Sequence, residues 1–279
     1  MNKIIQVGKY NKLLIDRDSD YGFYLVAKDE SAVLLPNSYI TDDMNIGDEV
    51  EVFVYKDSED RIVSTTQIPY LIAGEFEFLE VVDKSDFGVF VDIGLLKHVL
   101  VPKKMQKGSL RVGQKYLFAL SVDISTNRLV ADMRIHKYLS HDTALAEHLK
   151  AVDILVIAKT PMGYKVIVNN THEGMLYNNE IFQTVKITQK LKAYVKKVRD
   201  DGKLDISLNP IGKNKTDTNS QTLLDRLKIH NGLLSYTYKS DADDIKKMFG
   251  MSKKAYKASL TKLIEDNQIV LDEKGIKIK

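Results

Sequence analysis

Six Lys or Arg residues fall between positions 186 and 199, and Lys192, Tyr194 and Lys196 stand at alternate positions among them. Lys197 and Arg199 follow directly, and Lys165 lies a short way upstream. Spacing by two puts side chains on one face of a β-strand, so this stretch predicts cations interleaved with an aromatic ring. Cations neutralise strand phosphates while a ring stacks on an unpaired base, which is how small barrels hold single-stranded nucleic acid. Two further aromatic pairs, Tyr21 with Tyr24 and Phe87 with Phe90, flank glycines without comparable charge around them. Each pair either stacks bases or packs beneath a neighbouring domain. Near the C-terminus Lys253, Lys254 and Lys257 form another basic cluster, which either meets phosphates or is a solvated helix face.

Other chemistries lack their residues. The six histidines show no HExxH or HxH spacing, so the expectation is no metal. Asp16, Asp18 and Asp20 imitate the start of a calcium loop. Tyr21 then stands where that loop needs glycine, and Ala27 where it needs a bidentate glutamate. There is no cysteine, which excludes disulfides and thiolate sites. With no Walker A run, nucleophile elbow or dinucleotide fingerprint either, the expectation is a protein without catalysis or cofactor.

The elements that must position these residues emerge from an internal repeat. Gly22 to Pro36, Gly88 to Pro102 and Gly163 to Tyr177 are each 14 residues apart. Gly22 to Gly47, Gly88 to Gly113 and Gly163 to Thr188 are each 25 apart. Within the units apolar residues alternate, as in Val89, Val91, Ile93 and in Leu191, Ala193, Val195, the period of a half-buried strand. About five short strands in roughly 65 residues suit a small closed barrel of the OB type. Beyond them, 211–220 reads as a linker, and the pattern turns helical. Leu223, Leu224 and Leu227 form one apolar face ending at Gly232. Ser240 caps a helix carrying Ala242, Ile245, Met248 and Phe249, and Ser252 caps one carrying Tyr256, Leu260, Leu263 and Ile264. IVLDEKGIKIK then predicts a hairpin turning near Glu273–Gly275. Three helices and a hairpin are the order of a winged helix.

Charge is graded along the chain. Residues 1–66 carry seven Lys/Arg against thirteen Asp/Glu, net −6, and residues 67–135 carry nine against eight. Residues 148–211 carry ten against six, and residues 213–279 fourteen against nine. A basic half facing a polyanion is the physical reading. No uninterrupted apolar run exceeds five residues, far short of the roughly 20 a membrane span needs. The first residues, MNKIIQVGKYNKLLIDRD, hold no apolar core of signal length. The expected compartment is the cytoplasm.

The runs FGVFVDIG, LVPKKM, VGQKYLFALSVD and RLVADM in the second unit resemble the S1 RNA-binding domain, a subclass of the OB-fold. VKKVRDDGKLDISL resembles that domain's closing hairpin. Where many S1 domains carry histidine after GLV or GLL, this chain has Pro102, and Pro36 in the first unit. Three such units plus a winged helix resemble the conserved virulence factor B (CvfB, YitL) family of RNA-binding regulators in Gram-positive bacteria. The resemblance implies RNA binding and influence on gene expression. The expected fold is mainly β with an α+β C-terminus, three tandem S1-like barrels over 1–66, 67–135 and 144–211, then a winged helix over 220–279. The expected partner is single-stranded RNA, held mainly by the third unit and the winged helix, because the first unit's charge repels phosphates. The alternatives are a DNA-binding transcription regulator and a protein-interaction scaffold. Against the former, Lys253–Lys262 holds no Arg, Asn or Gln for bidentate base contacts.

Overall fold

Each repeat unit closes into a five-stranded barrel, and its recurring spacings are strand register. The structure, a computed structural model, describes residues 1–146, 151–181, 183–209, 214–273 and 275–279. The first barrel comprises β1 (Tyr10–Arg17), β2 (Gly22–Val26), β3 (Ala32–Pro36), β4 (Glu49–Lys56) and β5 (Ile62–Thr65). The second comprises β6 (Phe76–Ser85), β7 (Gly88–Val91), β8 (Val99–Pro102), β9 (Lys115–Val122) and β10 (Leu129–Asp132). After a short helix α1 (Thr143–Ala146), the third comprises β11 (Ala151–Thr160), β12 (Gly163–Val168), β13 (His172–Tyr177), β14 (Lys190–Val198) and β15 (Leu204–Ser207). All three close in the same circular order, with the third strand of each barrel parallel to the fifth.

The 14-residue spacing joins cross-strand partners: Gly22 faces Pro36, Gly88 faces Pro102 and Gly163 faces Tyr177. A Cβ on these glycines would lie 2.0–2.1 Å from the carbonyl oxygens of Leu35, Val101 and Leu176. Only glycine lets the strands approach this closely. The 25-residue spacing reaches the turn before the fourth strand. There Gly47, Gly113 and Thr188 adopt φ of 95°, 80° and 76°. Their N–H groups donate to Ile15, Val81 and Val156 at 2.8 Å each. Thr188 therefore holds a left-handed conformation that costs little only for glycine.

Alternation fills each interior. Leu13, Ile15, Leu25, Leu35, Val52 and Val54 pack the first barrel, and Val152, Ile154, Val166, Leu176, Leu204 and Ile206 the third. Each such side chain contributes about 1.5–3 kcal/mol when fully buried. Phe53, Tyr55 and Val63 of the first barrel belong to the second barrel's apolar cluster, so these two barrels share a core. The chain divides into two compact units, Met1–Leu139 with the first two barrels and Ser140–Lys279 with the third barrel and the C-terminal domain.

That domain comprises α2 (Asn214–Ile229), β16 (Leu233–Leu234), α3 (Ala242–Phe249), α4 (Lys253–Glu265), β17 (Ile269–Asp272) and β18 (Gly275–Ile278). The strands form a sheet in the order β16-β18-β17. Leu223, Leu227, Ile245, Phe249, Tyr256, Leu260, Leu263 and Ile276 form its core. Three expectations change here. The linker reading of 211–220 fails, because α2 already begins at Asn214. Its turn-forming composition is overridden where Asn219 and Ser220 bury in a helix packed on α4. Asp241, not Ser240, caps α3, accepting from the Asp243 N–H at 2.7 Å. Ser240 Oγ instead accepts from Thr237 N–H at 2.8 Å. Ala242 is consequently solvent-facing, and Ile245 and Phe249 carry the apolar face. Ser252 caps α4 as expected, accepting from Ala255 N–H at 3.2 Å. His148, residues 211–213 of the expected linker and Lys274 of the expected hairpin turn lie outside the described residues. Among the described residues no helix is long and apolar enough to cross a membrane.

Candidate nucleic-acid interface

β14 pairs with β11 on one side and β15 on the other. Ala193 points into the barrel, while Lys192 is exposed and Tyr194 half-buried on the outer face. A β-bulge then interrupts the alternation, since Val195 pairs with Ile206 but Lys197 with Asp205. Leu191, Ala193 and Val195 pack on the core and so does Val198, so Lys192, Tyr194 and Lys196 stay on the outer side and the alternation shifts only beyond them. Lys196 donates to Glu180 Oε1, whose other oxygen accepts from Ser207 Oγ at 3.2 Å. The hydrogen bond from Lys196 to Glu180 holds this ammonium above its ordinary pKa. Lys165 faces Glu173 at 3.7 Å and Arg199 faces Asp201 at 3.2 Å, while Lys197 is exposed.

Lys192 pairs with Asp153 at 2.7 Å, yet the two side chains are 81% and 68% exposed. An exposed pair contributes only about 0–1 kcal/mol, so a phosphate can replace the carboxylate. Lys192 and Tyr194 form one wall of a cleft of about 1020 Å³ within the second unit. Arg226 of α2 and Lys246 and Lys247 of α3 line the opposite side. Among the described residues, four cations face this cleft against one carboxylate, Asp243. The sequence reading missed Arg226, Lys246 and Lys247. The available signal for Lys246 and Lys247 was the polar face of α3, opposite Ile245 and Phe249, and for Arg226 that of α2, both of which read locally as ordinary solvated charge. The cluster it favoured, Lys253, Lys254 and Lys257, opens α4 and is not part of the cleft lining. Lys253 donates to the Lys239 carbonyl at 3.4 Å, while Lys254 and Lys257 are exposed.

The aromatic pairs of the first unit differ from each other. Tyr21 is 75% exposed, whereas Tyr24 is half-buried under the Arg17 guanidinium, 4.4 Å from the ring centroid. That cation–π contact occupies one face of the ring. Phe87, 78% exposed, and Phe90 line a cavity of about 420 Å³. Its other walls include Tyr55 and Lys56 from the first barrel and Lys97 and Arg128 from the second. Among the described residues no group of three His, Asp or Glu side chains is arranged to hold a metal ion.

The S1 domain family matches residues 7–67 and 73–124, and the CvfB-like winged helix domain family matches residues 221–278. YitL of Bacillus subtilis (strain 168) is 32% identical over 270 residues, covering 94% of this chain and 90% of that protein. Conserved virulence factor B of Staphylococcus epidermidis is 25% identical over 273 residues, covering 91% of this chain and 90% of that protein. A crystal structure from Streptococcus pneumoniae, described as a multidomain protein with nucleic acid binding domains, aligns over 98% of both chains at 23% identity with a TM-score of 0.41.

Proposed function

The chain belongs to the conserved virulence factor B family, and from that premise we propose that it is a non-catalytic, cytoplasmic post-transcriptional regulator that binds single-stranded RNA in the cleft of its second unit. The observation that carries this reading is the juxtaposition of Lys192 and Tyr194 with Arg226, Lys246 and Lys247 around one open groove. Phosphates run along the cations and one base stacks on Tyr194. A barrel wall paired with a helical wall makes each few-contact patch effective, because a strand held by one is presented to the other at high local concentration. Lys165, Lys196, Lys197 and Arg199 lie outside the groove lining and add phosphate contacts for strands that run beyond it. Lys253, Lys254 and Lys257 extend the basic track for longer strands. Tyr21 is a secondary stacking position outside it, whereas Tyr24, with one ring face taken by Arg17, and Phe87 and Phe90 add little to the affinity of the intact chain.

The test is a salt titration of binding to single-stranded RNA, with single-stranded and duplex DNA in parallel. Losing three phosphate contacts flattens the log–log salt slope by about 2 and weakens binding roughly 100-fold near 0.1 M salt. Lys192→Ala, Arg226→Ala and Lys247→Ala together should do this. Replacing Lys253, Lys254 and Lys257 should weaken only strands long enough to leave the groove. Wild-type affinity and slope in the first triple variant would exclude the cleft, and preference for duplex DNA would favour a transcription regulator.

A further inference from the structure

The turn that closes each barrel, between its fourth and fifth strands, ends on a cation. Matching hydrogen bonds, Asp57 N–H to Arg61 O, Asp123 N–H to Arg128 O and Arg199 N–H to Lys203 O, show that Arg61, Arg128 and Lys203 are equivalent. Arg61 is held within its own turn by Asp57 at 2.7 Å and Glu59 at 3.1 Å. Lys203 is held within its own barrel by Glu173 at 3.4 Å. Arg128 alone of the three is held from another barrel. Its Nε donates to Asp60 Oδ1 at 2.5 Å and its Nη2 to Asp60 Oδ2, the bidentate geometry with which guanidinium grips carboxylate or phosphate.

Two further cations, one from each barrel, sit at this contact beside the Phe87–Phe90 cavity. Lys97 Nζ donates to the carbonyls of Lys56, at 2.7 Å, and Asp57. Lys56 Nζ donates back to the Thr126 carbonyl at 2.8 Å. The cavity thus combines exposed Phe87 and half-buried Phe90 with Lys56, Lys97 and Arg128, yet all three cations already have oxygen partners. The shared core of Phe53, Tyr55 and Val63 keeps the turn in place.

We propose that the β4–β5 turn of the first barrel is a built-in phosphate mimic, with Asp60 on Arg128 and backbone carbonyls on Lys97, which withdraws the second barrel's aromatic cavity from RNA. This gives the acidic first barrel a function of its own. It rests on the reading that the chain binds single-stranded RNA, because only then does the masked face have a competitor to exclude.

The experiment uses the full chain and a uridine homopolymer of about 20 nucleotides, longer than the 4–16 one barrel covers. Wild-type binding is measured first, and its absence would remove the proposed function rather than this inference alone. In the background lacking Lys192, Arg226 and Lys247, Asp60→Asn is then added. Asp60 sits at φ 66°, a conformation asparagine also tolerates, so the turn is retained. Freeing one phosphate contact should raise affinity about fivefold near 0.1 M salt and steepen the slope by roughly 0.7. Adding Phe87→Ala should erase that gain. Glu59→Gln removes the same charge from the same turn without touching Arg128, and should leave affinity unchanged. No gain from Asp60→Asn, an equal gain from Glu59→Gln, or a gain that survives Phe87→Ala would each overturn the proposal.

Discussion

The second and third barrels share circular strand order and the glycine that opens their second strand, yet they spend their cations differently. In the second, Lys97 and Arg128 are engaged by the turn of the adjoining barrel. In the third, Lys192 pairs with an exposed carboxylate and faces a cleft whose other wall adds Arg226, Lys246 and Lys247. The lesson is that a barrel offers positions for charge, and the domain packed beside it decides whether that charge stays open to a ligand. The Arg128–Asp60 pair is itself about half exposed, so it is its bidentate geometry, stronger than an exposed ammonium–carboxylate contact, that sets it apart from Lys192.

The strongest way to break this comparison is to separate the units. The unit Ser140–Lys279 should retain single-stranded RNA affinity within a few-fold of the full chain, while Met1–Leu139 should bind at least ~100-fold more weakly at equal salt. Equal anisotropy titrations for the two fragments would abolish the distinction. Next in size is Tyr194→Ala, which should cost about 1–3 kcal/mol of affinity, the loss of one stacked base. Because no phosphate contact is lost, its salt slope should match wild type, while Phe90→Ala should leave affinity unaltered.

The third test compares equivalent buried ends of the fifth strands, where Asp132 stands in the second barrel and Ser207 in the third. Burial pushes the Asp132 carboxyl up most strongly, but the hydrogen bonds and charge of Arg134, at 2.6 Å, outweigh it and hold its pKa below the usual carboxylate range. A depressed folded pKa means the contribution is complete above the unfolded value of about 3.9 and fades as pH falls through the folded one. Asp132→Asn should therefore cost the first unit about 1–3 kcal/mol at neutral pH. Denaturant melts should show that difference shrinking below pH about 4. A pH-independent difference would place the effect in packing instead. The smallest effect concerns the turn glycines. Thr188→Gly should stabilise the third barrel by roughly 1 kcal/mol by releasing left-handed strain, and Gly113→Thr should destabilise the second by a similar amount. A calorimetric change of the opposite sign would show that the Thr188 side chain offsets its own strain.

Much of the fold was legible because its causes are local or strictly spaced. The 14-residue interval is a cross-strand pair requiring a missing Cβ, and Ser252 caps α4 from one residue outside it. The start of α2 was not legible. Its Asn, Thr and Ser residues favour turns by propensity, and burial against α4 is what makes them helical. On β14, the outward positions of Lys192, Tyr194 and Lys196 followed from strand period, whereas the inward Val198 did not, because a bulge is a one-residue irregularity with no composition of its own here.

By itself the sequence determined the barrel repeat, the helix-and-hairpin order and the charge gradient, since strand alternation, glycine-only contacts and residue charge act over a few neighbours or at fixed intervals. Tertiary structure alone decided which cations are usable. Arg226 and Lys247 become cleft residues only because α2 and α3 line the groove with β14, and Arg128 becomes closed only because Asp60 arrives from another barrel. Electrostatic availability depends on what lies within a few ångströms in space, and the fall of Coulomb energy with distance takes no account of separation along the chain.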